Sequence, residues 1–414
     1  MTLEPRNRIE ILKAIKKLVL ANHINVAGVD YDIWAKHLDE RTPELLNADL
    51  ASFEAGIRQL LTELKTSHTV FYHSLSKELL PQHTINASLK DVPQDGCRRW
   101  MFLDVFEDGP AHKAGIKPGD ILEAVDGEDY APPTTPHFVI GQIHTLLVRK
   151  PRSDIGSEIT IAVPIRKGTK QRPPIVEPKS PIHQMVGHGI GLLRIVYFPG
   201  AFGLSFANAL DDAVDDLKRR GCDRVILDLR GNMGGSLGFV RLASYMCAGR
   251  LPIGHSLTPT RLRSGYDPDA LPRVPMPSTR AELLLTLARF AVRDKSVMLL
   301  TQGLGPQPFQ NRIVILVNEW TNSAAEMVAN FAAENRLATI VGQKTRGNVL
   351  GAANFRVGSG YWLRLPVFGW FTSKGHTLEG TGVEPDVRLE ISVEALAEGA
   401  DNQLNKGIEI ASAL

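Results

Sequence analysis

The stretch "VNEWTNSAAEMVANFAAENRLATIVGQKTRGNVLG" (317–351) places a serine at the start of a small-residue helix. An apolar run, "RIVILVN", passes through a short polar turn into Ser323, and "SAAEMVANFAAEN" follows with helical spacing. The first turn of a helix carries backbone N–H groups without intrahelical acceptors, and its dipole favours negative charge. A serine there could attack a carbonyl, with the Ala324 amide receiving the oxyanion and Ala324 and Ala325 leaving room for a substrate. The same position also suits a plain N-cap serine. A glycine-rich turn, "RGNMGG" (230–235), follows the apolar run "VILDL". In a parallel sheet it would lie at the same edge as Ser323, where sites usually form. It would need glycine in any case if the turn requires positive φ.

A serine nucleophile needs a partner that takes its proton. Lys344 would serve only if its loop brought it close and burial lowered its pKa. Histidine titrates near neutrality and can take and return a proton. His68, His73 and His376 are histidines near these elements, and the residues alone leave open which would serve, or whether His68 is structural.

The elements that must position these residues can be read along the chain. Apolar residues at helical spacing (Ile9, Leu12, Ile15, Val19, then Phe53, Ile57, Leu60, Leu61, Leu64) mark helices over 8–21 and 49–65. They define a small helical N-terminal region, 1–80. From about 90 to 168 the pattern changes to short strands ("RRWMFLDVF", "GDILEAVDG", "SEITIAVPIRK"), with "PAHKAGI" as a short helix and "KPGD" as a turn. A proline-rich linker, 169–186, follows. From 187 to 414 strands alternate with helices: "IGLLRIVYF", the helix "SFANALDDAVDDLKRRG" stopped by Gly221, "CDRVILDLRG", a helix at 237–248, "RIVILVN", the helix from Ser323, and "ATIVG". Such alternation implies crossovers and a largely parallel sheet, so the fold class is multidomain α/β. An irregular insertion, 249–311, holds one expected helix at about 280–293 and reads as a lid or partner surface.

Composition bounds the function. The length of 414 residues calls for two to four domains. A net charge of +2 gives no reason to expect nucleic acid or an anionic membrane as partner. Three cysteines (Cys97, Cys222, Cys247) cannot build a disulfide framework, and no Cys-x-x-Cys or His-x-x-x-His pair marks a metal site; neither metal nor cofactor is expected. The N-terminal stretch carries charges through its apolar residues and reads as an amphipathic helix, and no apolar run of about 18 residues occurs, so no membrane span is expected. The sequence as given points to the cytoplasm, or to the periplasm or exterior if a leader precedes it.

Two families resemble parts of this pattern. The series V-x-x-x-G-P-A-x-x-A-G-I-K-P-G-D-I-L-x-A-V-D-G (105–127) resembles a PDZ domain, which implies capture of a peptide as an added strand with its C-terminal carboxylate held in a backbone loop. That loop would fall at "DGCRRWMF", which lacks the usual glycine-leucine-glycine-phenylalanine form; Arg98 and Arg99 could hold the carboxylate instead, or be surface charge. The segments "ILDLRGNMGG", "VNEWTNSAAE", "VGQKTRGN" and "LEGTGVEPDV" resemble the core of the C-terminal-processing (tail-specific) and tricorn-core serine peptidases, whose sheet is ClpP/crotonase-like. The resemblance implies Ser323 as nucleophile and the amides of Gly235 and Ala324 as oxyanion donors. The tail-specific branch keeps a lysine base where this chain has Asn348, whose amide accepts no proton. The tricorn branch uses a histidine, and its pattern falls on Ser323, His68, Ser67 and Glu379, with Glu384 a nearby competitor for the acid. The resemblance thus implies a peptide or protein substrate, taken by its C-terminus, and is compatible with a homo-oligomer. Asn348 also leaves open a Ser–Lys dyad through Lys344, an inactive binding protein that keeps the fold, or a scaffold in which the PDZ-like domain does the work.

Overall fold

The strand Ile313–Val317 is buried along its whole length, and the elements around it account for most of the chain's organisation. The computed structural model describes residues 3–74, 78–94, 96–151, 153, 155–165, 176–200, 202–277 and 294–414, with 279, 281, 282, 284, 285 and 288 between the last two. The chain forms two compact units. The first contains Met1–Ser76, Arg250–Gln302 and Gly347–Gly382; the second contains Lys77–Gly249, Gly303–Arg346 and Val383–Leu414. The N-terminal helices, expected as a region of their own, therefore share a unit with most of the 249–311 segment and with 347–382. Residues 169–175 of the expected linker, and most of the helix expected at about 280–293, lie outside the described residues.

In the first unit, helices Pro5–Asn22, Tyr31–Asn47 and Leu50–Thr62 pack on a sheet. Asp30 and Asp49 cap the second and third helices by accepting backbone N–H bonds, which satisfies donors the helix leaves unpaired. Ile11, Leu12, Ile15 and Val19 recur at helical spacing and join Phe53, Ile57, Leu60 and Leu61 in one core with Phe71, Leu363 and Leu365 of the sheet. The sheet runs in the order Val70–His73, Tyr361–Thr372, Pro252–Leu257, Val297–Leu300, Arg273–Pro275, and Gly351–Gly358 also pairs with Tyr361–Thr372. All pairings are antiparallel except that between Arg273–Pro275 and Val297–Leu300.

The second unit holds two sheets. One is antiparallel, in the order Ala87–Gln94, Cys97–Val105, Ile121–Val125, Ile143–Arg149, Gly156–Ala162. The other runs Ile182–Gly187, Ile190–Arg194, Arg224–Asp228, Ile313–Val317, Thr339–Gly342, Val387–Arg388. Its first pair is antiparallel and the remaining pairs are parallel, as the strand–helix alternation requires. One face packs Ile226, Val314 and Leu316 against the C-terminal helix Asn402–Ala413. The other packs Leu193, Leu227 and Ile313 against Val214 and Leu217 of the helix Leu204–Arg219 and Leu242 of Gly238–Tyr245. Burial on both faces explains why these strands are continuously apolar rather than alternating. Where the strand Arg224–Asp228 ends, Arg230 forks onto Asp228 (2.8 Å) and Asp401 (2.7 Å), tying the start of the C-terminal helix to the sheet edge that carries the glycine turn. Burial alone would push the Asp228 carboxyl up, but the adjacent guanidinium outweighs it and holds the group below its usual range.

Candidate active site

In the second unit, the turn between strand Ile313–Val317 and helix Ala324–Glu334 is cross-braced. Asn318 N–H donates to Thr321 Oγ1 (3.0 Å), Thr321 Oγ1 donates to the Leu229 carbonyl (3.0 Å), and Gly231 N–H donates to Asn318 Oδ1 (3.0 Å). Asn322 N–H reaches the Asn232 carbonyl at 2.9 Å, so the serine turn and the glycine turn are held together. Ser323 itself sits at φ 52°, ψ −117°, a conformation that is strained for any residue with a Cβ. Its own N–H donates to Glu326 Oε2 at 2.9 Å. Glu326 is fully buried, and its other oxygen accepts from Thr345 Oγ1 at 2.6 Å. One carboxylate thus holds both the strained serine and the loop that follows strand Thr339–Gly342.

The glycine turn lies against that serine. Gly234 N–H donates to Asn232 Oδ1 (2.7 Å), and a Cβ placed on Gly234 would stand 2.7 Å from Ser323 Cβ and 3.2 Å from its Oγ. Gly235 has φ +137°, and a Cβ there would overlap the Phe198 carbonyl oxygen. Phe198 N–H donates to the Gly234 carbonyl and its oxygen accepts from Ser236 N–H, each at 2.9 Å. This pairing uses the residues on either side of Gly235 and leaves the Gly235 N–H out of it. Ala324 begins its helix at the N-terminal end, where N–H groups have no intrahelical acceptor.

The first unit brings together Ser67, His68 and Glu379. After helix Leu50–Thr62 the buried Leu64 anchors the chain, and Lys65 (φ 51°) and His68 (φ 63°) fold it into a tight turn. Glu379 accepts from Ser67 N–H (2.6 Å), Ser67 Oγ (3.0 Å) and Val349 N–H (3.0 Å). Ser67 Oγ also lies 2.7 Å from His68 Nδ1. A hydroxyl has one proton; with it given to Glu379, Ser67 accepts from His68 Nδ1–H, and the neutral ring carries its lone pair on Nε2.

The other expected candidates stand elsewhere. Lys344 is half exposed and paired with Glu384 at 2.7 Å, a setting opposite to the desolvated amine a lysine base requires. His376 is exposed, and His73 packs edge-on against Tyr361 at 4.7 Å. Arg98 is exposed and makes two contacts to Asp91 (2.6 and 2.7 Å), so its charge is already met; Arg99 is its neighbour on the strand Cys97–Val105. Among the described residues no cluster of three His, Cys, Asp or Glu could hold a metal ion.

Two supporting residues were not singled out in the sequence. Glu326 was visible as the last member of a Ser-x-x-Glu capping pattern. His23 left no local signal. It is buried, with Nε2 2.9 Å from Thr66 Oγ1 and Nδ1 2.7 Å from Tyr31 Oη, whose proton goes to the His23 carbonyl (3.1 Å). Nδ1–H therefore donates to Tyr31, and Nε2 accepts from Thr66, one residue before Ser67. Burial pushes its pKa from 6.5 down to about 4. Between those values the unfolded chain binds a proton that the folded chain refuses, so stability falls as pH drops from 6.5 to 4. The loss amounts to roughly 3 kcal/mol by linkage. Urea midpoints at both ends of this range should show a smaller acid loss in His23→Gln than in the parent; an unchanged loss would remove His23 as its source.

Residues 189–389 match the profile of peptidase family S41. A probable CtpA-like serine protease of Staphylococcus haemolyticus is 25% identical over 295 residues, 70% of this chain and 50% of that one. A carboxy-terminal-processing protease of Bartonella bacilliformis is 25% identical over 308 residues, 73% of this chain and 61% of that one. The chain thus spans between half and about three fifths of the length of these curated relatives. The photosystem II D1 C-terminal processing protease shares the fold, with a TM-score of 0.56 at 17% identity over 95% of this chain and 96% of that one. The chain shares the fold of that protease, and its residues 189–389, just under half of its length, are the part that matches peptidase family S41.

Proposed function

We propose that this chain is a serine-type peptidase that cleaves unstructured or C-terminal peptide segments, with Ser323 as nucleophile and His68 as general base. The observation that carries the reading is the hydrogen-bond chain from Glu379 through Ser67 to His68, which leaves Nε2 as the ring's acceptor. Asn348 in place of the lysine of the tail-specific branch supports a histidine base, and so does the ion pair that engages Lys344. In this mechanism His68 Nε2 takes the Ser323 proton as Oγ attacks the scissile carbonyl. The N–H groups of Gly235 and Ala324 receive the oxyanion. His68 then gives the proton to the leaving amine, and water, activated by the same ring, releases the acyl group. Glu379, through Ser67, steadies the imidazolium. The antiparallel sheet would take the substrate's tail as an added strand: Ala87–Gln94 pairs on one side only among the described residues, and 105–127 carries the PDZ-like series.

A fluorophosphonate probe on the full chain is the direct test. Mass spectrometry should find the adduct on Ser323 and none in Ser323→Ala. A folded chain that takes no label, and cleaves no member of a peptide library, would overturn the proposal. Equal cleavage of free and amidated C-termini would remove tail capture and keep the chemistry.

A further inference from the structure

The second unit holds a cation beside the serine turn that forms no ion pair among the described residues. Arg346 follows Thr345 in the loop after strand Thr339–Gly342, and its N–H donates to the Thr321 carbonyl at 3.3 Å, two residues before Ser323. Its guanidinium lies over the Trp320 ring, with Cζ 4.7 Å from the centroid. The residue keeps solvent exposure, while partial burial draws its pKa below the usual arginine value against the opposing pull of Glu326. Glu326 attracts this cation but forms no ion pair with it, and its two oxygens accept from Ser323 N–H and Thr345 Oγ1. Among the described residues Arg346 makes no ion pair and its side chain donates no hydrogen bond. Arg98, Arg149, Arg230, Arg241 and Arg261, by contrast, all rest on aspartate or glutamate. A planar fork of five N–H donors, held over an indole and meeting no side-chain acceptor among the described residues, has the form that pairs bidentately with a carboxylate.

We infer that Arg346 is a specificity-determining residue that binds a substrate carboxylate next to the scissile bond. This rests on Ser323 marking the peptide site, but not on the identity of the base. The carboxylate could be the C-terminus of the leaving fragment or an aspartate or glutamate side chain near the cleavage point, and the two sources separate by experiment.

Binding is measured by fluorescence anisotropy of labelled peptides to full-length Ser323→Ala, which removes turnover. One peptide pair differs in a free or amidated C-terminus; a second, amidated throughout, differs in Asp or Asn near the scissile bond. The charged member of at least one pair should bind about 10- to 100-fold tighter, as charge-assisted hydrogen bonds do. Arg346→Gln in the same background should bind both members of that pair alike, and Arg346→Lys should keep part of the preference. A full preference surviving Arg346→Gln would overturn the inference and place the carboxylate elsewhere, for instance on the antiparallel sheet. Equal weakening of charged and uncharged peptides in both variants would also overturn it, as a structural effect. Loss of cleavage in His68→Ala leaves this binding readout untouched, so the two proposals fail separately.

Discussion

Replacing His68 by alanine is expected to lower kcat/KM for a peptide substrate by about 10⁴-fold. Lys344→Ala should leave it within about twofold, because a solvent-exposed ion pair contributes little. The contrast follows from how each side chain is held. Lys344 Nζ reaches Glu384 at 2.7 Å in solvent, and its ammonium is engaged where it stands. The His68 ring is fixed by Ser67 and, behind it, by a glutamate that accepts three hydrogen bonds. Glu379→Gln should fall between the two variants, since the amide keeps an acceptor oxygen for Ser67 but lacks the charge that steadies an imidazolium. The pH profile adds a second readout: the acid limb of kcat/KM should disappear with His68 and persist in Lys344→Ala. Full activity in His68→Ala, or a collapse in Lys344→Ala, would return the lysine dyad to first place.

What the sequence made legible was local. The helix built on Ile11, Leu12, Ile15 and Val19 and the apolar strand Ile313–Val317 announce themselves by spacing and run length. The helix Tyr31–Asn47 does not, because Trp34, Leu38 and Leu45 are its only fully buried residues and Pro43 interrupts the pattern. Strand Ile143–Arg149 alternates in burial but is hard to read from sequence, since turn residues rather than apolar spacing dominate its surroundings. The site shows the same division. A serine at a helix start and a glycine-rich turn are motifs of neighbouring residues. Ser67 and Glu379 lie 312 positions apart, and His23 and Thr66 lie 43 apart; no periodicity links such pairs. The resemblance to known peptidases named Ser67 and Glu379, whereas nothing in the sequence named His23. The grouping of 1–76 with 250–302 and 347–382 is likewise a property of long-range strand pairing, set when Val70–His73 aligns with Tyr361–Thr372.

The glycine turn offers the second large effect. Gly235→Ala is expected to reduce kcat by about 100- to 1000-fold, the loss typical of one oxyanion donor. At φ +137° an L-residue is strained, and the new methyl would meet the Phe198 carbonyl oxygen, which is backbone and cannot rotate aside. To relieve the overlap, either the Phe198 bridge to Gly234 and Ser236 opens or the peptide between 234 and 235 turns. Each route redirects the Gly235 N–H. Because that donor acts on charge that develops only in the transition state, kcat should fall with little change in KM. Ser236→Ala makes the fitting control: it removes the Oγ bonds to the Pro199 carbonyl (3.1 Å) and from Gly238 N–H (3.5 Å), and keeps the Ser236 N–H that bonds the Phe198 carbonyl. It should cost about 1 kcal/mol of stability and little rate. Far-UV circular dichroism of both variants, beside their kcat values, separates a moved donor from a damaged fold. If Gly235→Ala retains the parent kcat while folded, the oxyanion has another host, and the serine turn must supply both donors from its own helix end.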